Sequence, residues 1–172
     1  MGCQVRLQRS FFERPTLDVA RDLLGQRLVF QNQSGFITET EAYFGFNDPA
    51  SHAARGKTPR NAVMFGPAGV SYIYFIYGMY FCLNIVTEAQ GFPAAVLIRG
   101  LLLPDGRHLD GPGKLCRELG LSKEWSGIDM TTHSDFFVEK TKKRFHYETT
   151  PRIGIKQGTD LLWRFCAVKP AI

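Results

Sequence analysis

The sequence predicts a single α+β domain rich in strand, on three observations. Short apolar runs alternate with a period of two and are divided by polar turns, as half-buried strands are. Helix signatures are few and short, and no repeat or low-complexity linker divides the chain. The length of 172 residues, 44% of them hydrophobic, suffices for one well-buried core and falls short of two comfortable ones. One domain over 1–172 follows, with 1–10 expected as a flexible N-terminal segment.

Composition narrows the function classes. Lys and Arg number 21 against 16 acids, a net charge of +5, which suits a polyanionic partner and equally an ordinary basic enzyme. Cys3, Cys82, Cys116 and Cys166 lack CxxC spacing, and three sit in apolar runs, so they read as reduced and structural. The first residues hold no apolar stretch long enough for a signal peptide. Gly2 and Cys3 suggest acylation only superficially, because Arg6 stands where that motif needs a hydroxyl residue. The apolar run 71–86 is too short to span a bilayer and is broken by Gly78.

Along the chain, Pro15 and Thr16 offer a helix start, Val19, Ala20, Leu23 and Leu24 one apolar face, and Gly25 a left-handed stop. RLVFQ and FITETEAY flank a polar turn at 32–35 and form a hairpin. Strict alternation in its second strand puts Ile37, Glu39, Glu41 and Tyr43 on one face and Phe36, Thr38, Thr40 and Ala42 on the other. Asp48 before Pro49 predicts a capped short helix carrying His52, and Thr58 before Pro59 repeats the signal. Between Gly69 and Val86 lies an aromatic hairpin turning at Gly78, with Tyr72, Tyr74 and Ile76 on one side and Ile73, Phe75 and Tyr77 on the other. AAVLIRG is a further strand. GPGKLCRELG is a glycine-led helix facing inward with Leu115, Cys116 and Leu119 and closed by Gly120. FFVEK, RFHYE, RIGIK and LLWRFCAV complete the pattern as short strands.

Several residues are candidates for chemistry. Glu41 is a strand carboxylate beside an aromatic and on the face of Glu39. It is either a solvated edge residue or the lining of a pocket, where it would activate water with Glu39 perturbing its proton affinity. The tyrosines around Gly78 pack a core, or stack on bases and wedge between base pairs. Arg99 in VLIRG reaches solvent or meets an anion such as Glu41 or a phosphate. Asn84 satisfies its amide on backbone groups or on the edge of a base. His52 is a structural or a functional histidine. The basic run KTKKR at 140–144 is a solvated turn, with phosphate contact the alternative. Histidines and cysteines show no metal-ligand spacing, and nucleotide-binding and nucleophile-elbow motifs are missing, so no metal and no cofactor are expected.

ETEAY (39–43), TPRNAVMF (58–65), YIYFIYGMYFCLNI (72–85), VLIRG (96–100), GPGKLC (111–116) and RIGI (152–155) together resemble the alkyladenine, or 3-methyladenine, DNA glycosylases. The resemblance keeps its order from FFERP near residue 11 to about residue 165. The connection LLLPDGRHLD is shorter than the helical insertion of many relatives.

What the resemblance implies is a curved, mainly antiparallel sheet, open-barrel-like, with short helices outside and a protruding aromatic hairpin that enters the DNA minor groove. Tyr77 would fill the gap left by an extruded nucleotide. The purine would be gripped between Tyr43 on one side and His52 with Tyr74 on the other, with Asn84 crowding the amino group of guanine. Glu41 matches the general base, Arg99 its partner, and the backbone carbonyl of Ile153 the completion of the water site. Tyr72, Met79, Tyr80, Arg60 and Lys114 match or adjoin DNA-contacting positions. The implied activity is monofunctional hydrolysis of alkylated or deaminated purines from duplex DNA, leaving an abasic site. The implied partner is double-stranded DNA with damaged purines, and the chain is expected to be a monomer without a membrane. Its expected place is the cytoplasm, at the nucleoid, for a bacterial chain, or the nucleus for a eukaryotic one. The rival readings are a non-catalytic lesion-binding protein on the same fold and an RNA-directed domain using the same aromatic platform.

Overall fold

A computed structural model describes residues 5–168. Gly2 and Cys3 lie outside the described residues. The longest strand, β2 (Gln33–Phe44), is rich in β-branched and aromatic residues, which favour extended chain. It pairs with β1 (Arg27–Phe30), with β5 (Ala94–Leu102) and with β9 (Arg164–Ala167), all antiparallel. On the far side of β5 stand β4 (Tyr80–Val86) and β3 (Ser71–Ile76), while β7 (Phe136–Glu139) closes the other edge beside β1. Two short strands, β6 (His108–Asp110) and β8 (Tyr147–Thr150), pair with β5 and β9. The nine strands form one curled antiparallel half-barrel, a single domain of the expected β-rich α+β class.

One face of the sheet is the core. Ile85, Val96 and Ala42 lie in one cross-strand row and pack with Phe12, Leu23, Phe30, Leu115, Leu119 and Phe136. The helices α1 (Arg9–Phe12), α2 (Thr16–Asp22) and α3 (Pro112–Leu119) bring the covering residues to that face. α2 is also fastened by the Thr40 hydroxyl, which donates to the Ala20 carbonyl at 2.8 Å. The neighbouring row, Tyr72, Asn84, Leu97 and Glu41, necessarily faces the other way.

Several local expectations are corrected. The first hairpin turns at Gln31 and Asn32, and Gln33 to Gly35 are already strand, because Gln31 takes a positive φ of 53° and Phe30 pairs directly with Gln33. Ile37 does not share the face of Glu39, Glu41 and Tyr43 but lies in the core with Ala42. The cause is a pair of register shifts around Glu39 that interrupt alternation on both β2 and β5, since Ile37 pairs with Leu101 and Thr40 with Ile98. No α-helix follows Asp48: its carboxylate accepts the Ala50 and Phe44 amides at 3.1 and 3.2 Å, and only isolated turns carry the chain to a 3₁₀ turn at Ala62–Phe65. RIGIK forms no strand, and of RFHYE only the last two residues join β8. β6 and α1 escape the sequence pattern because each is four residues or fewer.

The described part of the N-terminal segment, expected to be flexible, is tied to β7. Leu7 donates its amide to the Val138 carbonyl at 2.9 Å, Lys140 donates to Val5 at 2.7 Å, and Arg6 bridges Glu139.

The hairpin of β3 and β4 turns on Tyr77 and Gly78, both at positive φ (54° and 61°), and Met79 donates its amide to the Ile76 carbonyl at 3.1 Å. This is the turn geometry that matches strand twist. Glycine meets it without strain and tyrosine does not.

Gly100 marks the irregular point of β5. A methyl group there would stand 2.6 Å from Thr38 Oγ1 and 3.0 Å from Glu39 Cβ. We expect Gly100→Ala to lower stability by about 1–3 kcal/mol, the cost of overpacking, as measured by urea unfolding.

Candidate active site

The row Tyr72, Asn84 and Leu97 forms part of the wall of a cavity of about 900 Å³, joined by Tyr43, His52, Met64, Tyr74, Cys82, Ala95, Arg99 and Ile153. The cavity is therefore the unhelical face of the sheet, closed by the irregular segment 46–55 and by the loop after β8. Several aromatic rings stand in its wall. His52 meets Tyr74 edge to face with centroids 4.3 Å apart, and its Nδ1 lies 3.1 Å from the Tyr72 hydroxyl. Burial, and secondarily the Arg60 guanidinium, lower the proton affinity of His52, which favours the neutral ring. Burial likewise pushes the Tyr43 and Tyr74 hydroxyls far above the usual phenol range.

Glu41 lies under this wall with 0% of its side chain exposed. The polar groups that reach its two oxygens are donors. The Ile153 amide donates to Oε1 at 2.7 Å, the Tyr43 hydroxyl donates to Oε2 at 2.7 Å, and Arg99 Nε is 3.5 Å from Oε1. Burial raises the proton affinity of the carboxyl, while Arg99, the Ile153 amide and Tyr43 oppose it. An ionised carboxylate accepts the Ile153 and Tyr43 bonds, gains from the nearby Arg99 charge, and retains lone pairs for a further donor such as water.

The sequence-predicted residues divide in two. Glu41, Arg99, Ile153, Tyr43, His52, Tyr74 and Asn84 come together at the cavity. It is the amide N–H of Ile153 that meets Glu41 here, where its carbonyl was expected to serve. Asn84 is buried and donates Nδ2 to the Tyr72 carbonyl at 3.2 Å. Tyr72, expected at the DNA surface, is 2% exposed and belongs to the cavity wall, because it shares a face with Asn84. Tyr77, expected on the side of Ile73 and Phe75, instead reaches the cavity mouth, since its left-handed backbone ends the alternation.

Tyr77 and Met79 are 67% and 75% exposed at the hairpin tip, with Tyr80 behind Tyr77. A methyl on Gly154 would stand 3.7 Å from the Tyr77 hydroxyl, so the tip and the loop after β8 face each other. Arg60 is exposed and donates to the Phe75 carbonyl at 2.8 Å, on the same hairpin. Lys114 is exposed and paired with Asp110 at 2.6 Å.

Sequence reasoning missed what holds the site. Asp48 and Arg152, both wholly buried, form a two-point ion pair at 2.6 and 2.9 Å, and Arg152 also donates to the Ala42 carbonyl at 3.0 Å. Its guanidinium lies over the rings of Tyr43 and Trp163, at 4.7 and 5.0 Å. Arg152 thus fixes the residue next to Ile153 and one wall of the cavity together. Asn61 does the same for His52: its Nδ2 donates to the His52 and Gly56 carbonyls, and it exchanges bonds with Thr58 in a reciprocal cap. Thr58-Pro59 signalled the cap, but nothing local signals a partner more than a hundred residues away.

Among the described residues, no group of three or more His, Cys, Asp or Glu is placed to hold a metal, and no helix is long and apolar enough to cross a membrane.

Comparison with known proteins places this geometry in context. The family model described as Methylpurine-DNA glycosylase (MPG) matches residues 10–170. A protein of Sodalis glossinidius, provisionally named a 3-methyladenine DNA glycosylase, is 60% identical over 161 residues, covering 92% of this chain and 95% of that one. One of Rickettsia conorii with the same provisional name is 53% identical over 167 residues, 96% of this chain and 91% of that one. A third, from Wolbachia pipientis wMel, is 58% identical over 161 residues, 92% of this chain and 89% of that one.

Removing one member of a buried ion pair strands the other charge. Arg152→Met is expected to cost about 3–5 kcal/mol in urea unfolding. Asp48→Asn combined with Arg152→Met should cost less than the two single changes added.

Proposed function

The chain belongs to the methylpurine-DNA glycosylase family, and we propose that it turns alkylated or deaminated purines out of duplex DNA and hydrolyses their bond to deoxyribose, leaving an abasic site. The observation that carries this reading is Glu41, a carboxylate enclosed by donors directly beneath an aromatic cavity. Such a group serves two steps. As an anion it stabilises the positive charge that develops on the sugar as the base departs. As a base of raised proton affinity it takes a proton from water more readily than an exposed carboxylate does. Because Glu41 exposes no surface, water reaches it only as the Tyr43 hydroxyl or the Ile153 amide gives way. The Ile153 carbonyl, with Arg99, would then complete the water site.

The wall suits a purine. Tyr43, Tyr74 and His52 offer ring faces to an alkylated, cationic base, and a neutral His52 adds no opposing charge. The Asn84 amide, anchored on the Tyr72 carbonyl, would obstruct the exocyclic amino group of guanine. Tyr77, at the cavity mouth, would enter the stack as the nucleotide leaves, offsetting part of an unstacking cost of roughly a few kcal/mol. Met79, Tyr80, Arg60 and Lys114 flank it as contacts to the duplex, which the chain would meet as a monomer.

Release of ethenoadenine, hypoxanthine or 3-methyladenine from a duplex carrying one lesion tests the reading. Glu41→Gln should lose at least about 10²-fold in single-turnover rate, the scale of a general base, and still retard lesion DNA in a gel. Equal release by both proteins removes Glu41 from the chemistry, and no release by the wild type leaves a lesion-binding protein.

The pH profile is a separate check. The reaction needs the carboxylate, and burial raises its folded-state proton affinity. The rate should be full above that raised value and fall as pH drops through it, at higher pH than for an ordinary carboxylate.

A further inference from the structure

Glu39 does not line the cavity, yet it is nearly buried and collects two guanidiniums on one oxygen. Arg99 Nε donates to Glu39 Oε1 at 3.0 Å and Arg164 Nε donates to the same oxygen at 2.6 Å. The same Arg99 nitrogen is 3.5 Å from Glu41 Oε1, beyond a good hydrogen bond. A single N–H points along one line, so Arg99 is bonded to Glu39 and only flanks Glu41. Arg164 stands opposite Glu41 in the pairing of β9 with β2, and its Nη1 is tied to Thr150 Oγ1 at 3.0 Å. The register shifts around Glu39 bring it and Arg99 to this point.

We propose that Glu39 and Arg164 are positioning residues that ration Arg99 between two carboxylates and so decide how strongly Glu41 takes a proton. The proposal rests on the reading of Glu41 as the base. The groups that face Glu41 are Tyr43 from its own strand, Arg99 from β5, Arg164 from β9, the Ile153 amide from the loop after β8, and, further off, Tyr74 from β3 and Cys82 from β4. Arg99 and, less strongly, Arg164 favour its charged form against the burial that disfavours it. Two carboxylates and two guanidiniums balance there. Glu39 is the member whose hold on Arg99 keeps Glu41 basic.

The signs for two substitutions are opposite. Glu39→Gln removes a negative charge near Glu41 and releases Arg99 toward it, so Glu41 gives up its proton more easily. Arg164→Gln removes a positive charge and leaves Glu39 with Arg99 alone, so Glu41 holds its proton more tightly.

The test is the pH profile of single-turnover base release from duplex DNA with one hypoxanthine, for wild type, both variants and Glu41→Gln, with thermal unfolding and lesion binding measured on each. The acid limb of Glu39→Gln should move about one unit lower with a plateau several-fold down, as befits a weaker base. That of Arg164→Gln should move higher. Limbs that stay in place, or move together, overturn the proposal, because lost packing alone reduces the plateau without opposite shifts. Where a variant is too slow to assay, carbon-detected titration of the Glu41 carboxyl carries the same expectation. Full activity in Glu41→Gln would instead bring down the reading of the base itself.

Discussion

The enclosure of one carboxylate governs this structure. An unpaired charge out of water is prohibitively costly, so the charged form of Glu41 depends on the amide, the phenol and the nearby guanidinium that converge on it against its burial. Each comes from a different part of the chain. The phenol follows from strand alternation, two residues along β2. The guanidinium depends on the irregularity of β5, and the amide on a loop more than a hundred residues further on. The curled sheet gathers these three pieces, and the helices on its other face leave the gathering side open.

A second buried charge pair gives the loop its fixed position. Asp48 and Arg152 are enclosed more completely than any other ion pair that the described residues show. Such pairs contribute little net stability compared with apolar packing, but they punish displacement. Here the punished displacement is that of the Ile153 amide and of the Tyr43 ring. The segment around Asp48 and the loop around Arg152 both lack regular secondary structure, so the ion pair substitutes for the ladder that would otherwise hold them.

The sequence made parts of this legible and hid others for definable reasons. β5 is readable from its continuous apolar run despite the irregularity at Gly100, and α3 from its inward apolar positions, a proline start and a left-handed glycine stop at Gly120. The family motifs brought Glu41, Tyr43, His52, Tyr74 and Asn84 forward, and these residues meet at one cavity. Ile37 was placed on the wrong face because a bulge is a property of two strands, invisible in either alone. Asp48 was legible as a capping residue but not as a buried anion, since its partner lies 104 positions away. Tyr72 matched a surface role by proximity in sequence, while its pairing with Asn84 assigns it to the wall.

The turn at Tyr77 has an implication for how the tip side chain is held. The ring projects from a left-handed backbone at an exposed tip, where its aim is set largely by the main chain, with the Tyr80 ring and the loop at Gly154 beside it. The tip is therefore a mounting point: the register of the strands beneath is set by their own pairing, from Ser71 and Ile85 to Ile76 and Tyr80. The side chain at the tip and the deeper wall of the cavity are thus open to separate change by design.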